Sequence, residues 1–139
     1  MGKKKVLILC TGNSCRSQMA EGLINSMPGE QWEAYSAGTH PSRLNPYAIR
    51  AMSEIDIDIT GQESESVEKY LNEPLDLVVT VCSDADQNCP IFPGPVQRVH
   101  IGFDDPANVV GTDAEIMSEF RRVRNEIQDR LLGYLKEQG

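Results

Sequence analysis

An alternation of short apolar runs with helix-period patterns constrains the fold most. Four runs read as strands: Val6–Cys10, Glu33–Ser36, Asp76–Cys82 and Gln97–Ile101. The third contains Leu77-Val-Val-Thr-Val81, apolar almost throughout, as expected for a parallel strand covered on both faces. Met19, Leu23, Ile24 and Met27 share one face of a helix after the first run. Asn45-Pro46 starts a second helix, with Ile49, Met52 and Ile55 turned inward. Ile116, Phe120, Val123, Ile127, Leu131 and Leu135 recur at three- and four-residue steps, predicting a long helix from about Asp113 to Gln138. Thr112 and Glu115 have capping-box spacing at its start, and Gly133 weakens it mildly. Strand–helix alternation predicts an α/β fold with right-handed crossovers. The expectation is a four-stranded parallel sheet, order 2-1-3-4, flanked by helices on both faces. The 139 residues fit one domain, 1–139, with no internal repeat or linker.

Ligands in such sheets bind beyond the C-terminal strand ends, at the switch in strand order. The segment Cys10-Thr-Gly-Asn-Ser-Cys-Arg16-Ser17 lies there, between the first strand and the first helix. A strand end leading into a helix start offers unpaired backbone N–H groups in one concavity. Gly12 permits the tight turn, and Arg16 can grip a tetrahedral oxyanion with two parallel hydrogen bonds. The oxyanion-binding set is therefore Thr11, Gly12, Asn13, Ser14, Cys15, Arg16 and Ser17. The same positive surroundings are expected to hold Cys10 as a thiolate, with Ser17 able to donate to it. A buried cysteine beside a surface arginine is the plainer reading. The complete Cys-x5-Arg-Ser element at a strand-to-helix junction favours the anion loop.

The net charge of −8 disfavours nucleic acid and anionic membrane as partners, so any bound anion needs a local positive site. Lys3-Lys4-Lys5 precedes an apolar run too short for a signal sequence, and Val6 stands where a myristoylation motif wants Ser or Thr. A cytoplasmic protein is expected. There, four cysteines read as catalytic or metal-binding rather than as a disulfide framework. Their Cys-x4-Cys and Cys-x6-Cys spacings do not suit zinc, and no metal site is expected. With order 2-1-3-4, Cys82 ends a strand adjacent to that of Cys10, close enough for the sulfurs to meet. A thiolate in an anion loop suits phosphoryl-type transfer, in which Asp104 or Asp105 protonates the leaving oxygen. Asp105 is favoured because Pro106 stiffens its turn. His40 and His100 read as structural or exposed.

The loop, Ser36-Ala-Gly38 and Asp105-Pro106 together resemble the low-molecular-weight protein tyrosine phosphatase family, in order and spacing, over essentially the whole chain. The resemblance implies Cys10 as nucleophile, Arg16 as oxyanion ligand and Asp105 as general acid. Two features point to another branch. Ala107 stands where the phosphatases carry an aromatic residue for the substrate ring. Cys82-Ser-Asp-Ala-Asp-Gln-Asn-Cys89-Pro90, with Gln18-Met-Ala-Glu21, looks like the thioredoxin-coupled arsenate reductases. Arsenate resembles phosphate in shape and charge, and its reduction takes the two electrons that a dithiol supplies on forming a disulfide. The resemblance thus implies attack by Cys10, a Cys10–Cys82 disulfide, and a second exchange in which Cys89 attacks Cys82. The polar stretch Ser83–Asn88 reads as turn-rich and able to move Cys89. Cys15 is expected to pack beneath the loop. Thioredoxin is the implied reductant and a monomer the simplest assembly, while a glutaredoxin or small thiol remains open. No cofactor is required. Some relatives bind potassium near the loop, and Asn13, Glu21 and Ser36 match that pattern, with Glu65 the candidate for a further acidic group. The alternatives are a phosphatase whose extra cysteines protect it, and a non-enzymatic redox-sensing module.

Overall fold

The computed structural model describes residues 3–27, 31–92 and 94–138, apart from the side chain of Asp84. The first apolar run forms strand β1 (Lys4–Cys10), whose last five residues are all buried. The chain then passes through the loop into helix α1 (Arg16–Asn25), strand β2 (Trp32–Gly38) and helix α2 (Pro46–Ser53). A 3-10 turn at Val67–Tyr70 leads to strand β3 (Leu77–Thr80), helix α3 (Ser83–Gln87) and strand β4 (Gln97–His100). A second 3-10 turn at Pro106–Asn108 precedes helix α4 (Asp113–Gln138).

The sheet is parallel throughout, in the expected order β2-β1-β3-β4. Its register aligns Cys10 with Gly38 and Leu9 with Thr80, so the strands finish at a common edge. From the switch point between β1 and β3, the crossovers to β2 and to β4 run in opposite directions. Right-handed connections then put α1 and α3 on opposite faces. Phe120, Val123, Ile127, Leu131 and Leu135 of α4 are buried, as their spacing predicts, and α4 packs along α1 and α2. The Tyr47 and Phe120 rings meet with centroids 5.5 Å apart. Both expected helix starts form. Asn45 Oδ1 accepts the Tyr47 N–H at 2.8 Å, and Thr112 and Glu115 exchange the two bonds of a capping box. No described helix is long and apolar enough to cross a membrane.

Two segments differ from expectation. Strand β3 stops at Thr80 rather than Cys82, although the Val81 N–H still donates to Leu9 O at 3.0 Å. The polar stretch from Ser83 is a short helix rather than a series of turns, because the Cys82 carbonyl accepts the Asp86 N–H at 3.1 Å. The Asp86 side chain is in turn held by Thr80 and Arg98.

Gly38, at the end of β2, packs its backbone directly against the loop. A Cβ there would lie 2.5 Å from Thr11 O and 3.0 Å from Asn13 N. Backbone atoms cannot step aside as a side-chain tip can. Gly38→Ala should therefore lower stability by about 1–3 kcal/mol and weaken anion binding with it. Thermal melts with and without phosphate check this. The variant should show a lower midpoint and lose most of the upward shift that phosphate gives the parent chain.

Candidate active site

The loop after β1 is held from outside through its carbonyls. Cys10 O accepts the Thr39 N–H at 3.2 Å, Thr11 O the His40 N–H at 2.8 Å, and Ser14 O the Asn45 N–H at 3.0 Å. Gly12 O receives the Ser42 N–H at 3.0 Å and the hydroxyls of Ser42 and Ser64 at 3.2 and 2.9 Å. Asn13 O receives the amide of Gln18 at 3.0 Å. In a trans peptide the next N–H points opposite the carbonyl. The N–H groups of Thr11 to Cys15 are therefore turned away from these donors, toward the inside of the loop. Asn13 takes the left-handed conformation at φ 48°, which asparagine tolerates better than most residues. Its Nδ2 donates to Ser17 Oγ at 2.8 Å, and its Oδ1 accepts the Glu65 N–H at 2.8 Å. Ser17, expected to serve Cys10, thus accepts from Asn13.

Arg16 begins α1 and folds over the loop. Its Nη1 donates to Phe103 O at 3.0 Å, and its Nη2 lies 3.5 Å from Asp105 Oδ2. Its Nε is buried and finds no hydrogen-bond partner among the described residues. An orphaned buried donor is costly unless a ligand meets it. A donor of this kind beside inward N–H groups is where an oxyanion would be received.

Asp105 and Asp104 are separated clearly. Asp105 caps the 3-10 turn, its Oδ1 accepting the Ala107 N–H at 3.0 Å and the Cys15 thiol at 3.6 Å. Asp104 faces solvent and pairs with Arg122 at 3.0 Å. Asp105 is therefore the carboxylate of the site, as Pro106 indicated. Arg16, Cys82, Phe103, Asp105, Asn108 and Arg130 line a cavity of about 500 Å3 at the loop's mouth. The Phe103 ring is covered by the Arg130 guanidinium, 4.7 Å from its centroid, and forms no open platform for a substrate ring.

All four cysteines are free thiols, and the sulfurs of Cys10 and Cys82 are hydrogen-bonded to each other. This agrees with the adjacency expected from the strand order, and the contact couples the two thiols. The bond to Cys82, followed by burial, raises the Cys10 thiol against the lowering influence of Arg16. Cys82 is pulled down to about 5, first by the Cys10 thiol, with further donation from Thr11 Oγ1 at 3.3 Å and the Ala85 N–H at 3.4 Å. The two shifts are one coupling seen from either side: Cys10 is held toward its thiol form and Cys82 toward its thiolate form. Sequence reading supplied the arginine but not the desolvation or the sulfur–sulfur bond. Cys15 packs beneath the loop as expected, its thiol pushed up to about 12 by burial and then by the Asp105 charge. Cys89 is half-buried beyond α3, with burial raising its thiol.

The residues matching a potassium site lie together, with the Glu65 N–H on Asn13 Oδ1 and the Glu65 charge felt at Glu21. Ser36 Oγ donates to Glu21 Oε1 at 2.6 Å, and burial raises the Glu21 carboxyl. Glu65 is engaged by the Lys69 ammonium and by the Tyr70 hydroxyl at 2.7 Å. In this structure the Lys69 ammonium answers the Glu65 charge. The described residues hold no cluster of three or more His, Cys, Asp or Glu side chains able to hold a metal. His100 is structural, its Nδ1 2.9 Å from Thr80 Oγ1. Sequence reading missed Gln18, Ser42 and Ser64, which brace the loop. A glutamine in the first turn of a helix that follows an anion loop was the available signal, since Gln18 is fully buried.

Comparison with known proteins agrees with this geometry. Residues 5–138 match the model of the low molecular weight phosphotyrosine protein phosphatase family. The arsenate reductase of Oceanobacillus iheyensis is 50% identical over 136 residues, 98% of each chain. That of Bacillus subtilis strain 168 is 50% identical over 131 residues, 94% of each chain. A solved arsenate reductase in a phosphate-binding state superposes with a TM-score of 0.76 at 32% identity, covering 96% of this chain and 98% of its own. The loop from Cys10 to Ser17, the strand order and the Asp105-Pro106 turn have a common explanation: the chain belongs to the low molecular weight phosphotyrosine protein phosphatase family.

Proposed function

We propose that this chain reduces arsenate to arsenite through a Cys10–Cys82–Cys89 relay. The observation that carries the reading is the bond between the Cys10 and Cys82 thiols at the mouth of an oxyanion loop. Hydrolysis of a phospho-cysteine has no use for a second thiol there. The names of the relatives about half identical over nearly the full length support the same substrate.

The loop N–H groups and Arg16 Nε bind the arsenate oxygens. Cys10 attacks arsenic, the S–As bond forms, and the As–O bond to the leaving hydroxyl breaks. The Cys10 proton ends on that hydroxyl, giving water, with Asp105 placed to pass it on. Cys82, already a thiolate, then attacks Cys10 Sγ. The S–S bond forms, the S–As bond breaks, and its electron pair leaves with arsenic, which falls from As(V) to As(III). Two thiols lose the two electrons that arsenic gains, and arsenite takes up protons from water. Cys89 next attacks Cys82, releasing Cys10 and leaving a Cys82–Cys89 disulfide.

That last exchange requires α3 to unwind. Helix α3, Ser83–Gln87, lies between Cys82 and Cys89, and its five residues at 1.5 Å each take up roughly 7.5 Å of their separation. A disulfide needs Cα atoms within about 4.4–6.8 Å. Unwinding carries the disulfide outward to a dithiol reductant, for which thioredoxin in the cytoplasm is the reading, with the chain acting as a monomer. The same loop and Asp105 would turn over a phosphate ester weakly, because water can hydrolyse a phospho-Cys10.

Cys89→Ser should complete one arsenate turnover and then stop, with a Cys10–Cys82 disulfide visible by mass spectrometry. Cys82→Ser should lose arsenite production by at least roughly a hundredfold while weak phosphatase activity persists. Unchanged arsenite production in either variant would exclude the relay.

Protonation gives a second test. A thiol lowered to about 5 is a thiolate at neutral pH and becomes protonated as the pH falls through that value. Iodoacetamide at pH 6–7 should label Cys82 ahead of Cys10, and labelling of Cys82 should decline below about pH 5. Preferential labelling of Cys10 would reverse the proton assignment.

A further inference from the structure

We infer that Asp86 is a positioning residue for the relay: clasped by Thr80 and Arg98, it holds α3 folded during the first disulfide exchange and sets the rate of the second. The inference rests on the relay reading above.

Helix α3 has only five residues, Ser83-Asp-Ala-Asp-Gln87. An isolated segment this short has no helical stability in water. Its fold must come from what its side chains touch. Asp86 supplies that anchor. Its Oδ1 accepts the Thr80 hydroxyl at 3.0 Å and lies 3.2 Å from Arg98 Nη2, which also donates to the Asp86 carbonyl. Thr80 is fully buried at the end of β3, and Arg98 stands on the edge strand β4. With its only proton given to Asp86, the Thr80 oxygen accepts from His100 Nδ1–H at 2.9 Å. One carboxylate thus ties a single helical turn to two strands.

The clasp has chemical consequences because α3 joins the two resolving thiols. While α3 is folded, the Ala85 N–H donates to Cys82 Sγ at 3.4 Å, and the Asp86 N–H holds the Cys82 carbonyl at 3.1 Å. The first favours the Cys82 thiolate and the second fixes its backbone, which suits its role in the first exchange. In the second exchange Cys82 becomes the sulfur under attack, a thiolate there is no longer needed, and Cys89 must close a helical separation. Breaking the clasp at Asp86 removes the support of the first role and permits the second. The exchange itself is balanced. The Cys89 thiol gives its proton to water, the Cys82–Cys89 bond forms, the Cys10–Cys82 bond breaks, and Cys10 leaves as thiolate with no net oxidation.

The test is a single-turnover experiment on the full chain. Reduced protein is mixed with arsenate and quenched in acid at intervals. The Cys10–Cys82 and Cys82–Cys89 disulfides are then counted by mass spectrometry. Loss of a surface charge-assisted contact of this kind has a modest effect. Arg98→Ala, which leaves α3 itself intact in sequence, should therefore raise the ratio of second-step to first-step rates roughly three- to fivefold. Asp86→Asn should raise it at least as much. Arg98→Lys, which can still pair with Asp86, should return it toward the parent value. Arg50→Ala removes a surface ion pair with Asp113 far from α3 and serves as the control for general loosening. It should leave the ratio at the parent value. A parent-like ratio in both Arg98→Ala and Asp86→Asn would overturn the clasp. An equal rise in the Arg50→Ala control would do the same. Failure of the parent chain to form any Cys82–Cys89 disulfide would instead overturn the relay.

Discussion

An acidic chain can hold an anion only where its own negative ends are turned away, and the rest of this structure follows from that constraint. Every carbonyl from Cys10 to Ser14 is taken by a donor outside the loop. Those donors come from the segment after β2, from the stretch around Ser64, and from Gln18 in α1. Their joint effect is to turn the intervening N–H groups inward and leave Arg16 as the charge over them. The tight seat of Gly38 against Thr11 and Asn13 is part of the same fastening. A net charge of −8 therefore coexists with an oxyanion site.

The sheet supplies the second requirement. Because β1 and β3 are neighbours at the switch in strand order, the thiol ending β1 meets the thiol just past β3. Two sulfurs in contact away from bulk water share one proton more favourably than they carry two charges. The more exposed Cys82, with donors from Thr11 and Ala85, takes the charge. In the proposed relay, the attacking group of the second step is thus held toward its thiolate form before substrate arrives.

Much of this was legible in the residues. Apolar runs placed the strands, the α4 stripe placed the longest helix, and strand order brought Cys10 to Cys82. Asp105 was distinguishable from Asp104 through Pro106. Helix α3 was not legible, because Ser, Asp and Gln over five positions carry a turn composition. Its helicity comes from Thr80 and Arg98, which are distant in sequence. The thiol protonation was not legible either. It depends on burial and on a hydrogen bond between sulfurs that local sequence cannot express, beside the lowering influence of Arg16.

The account centres on the chain's own thiols being the source of arsenic's two electrons. The most direct measurement is to mix fully reduced protein with excess arsenate and no reductant, then quantify arsenite and remaining thiols. One arsenite per chain, two thiols lost, and Cys10 and Cys15 still open to alkylation is the predicted result. No arsenite, with all four thiols remaining, would contradict it.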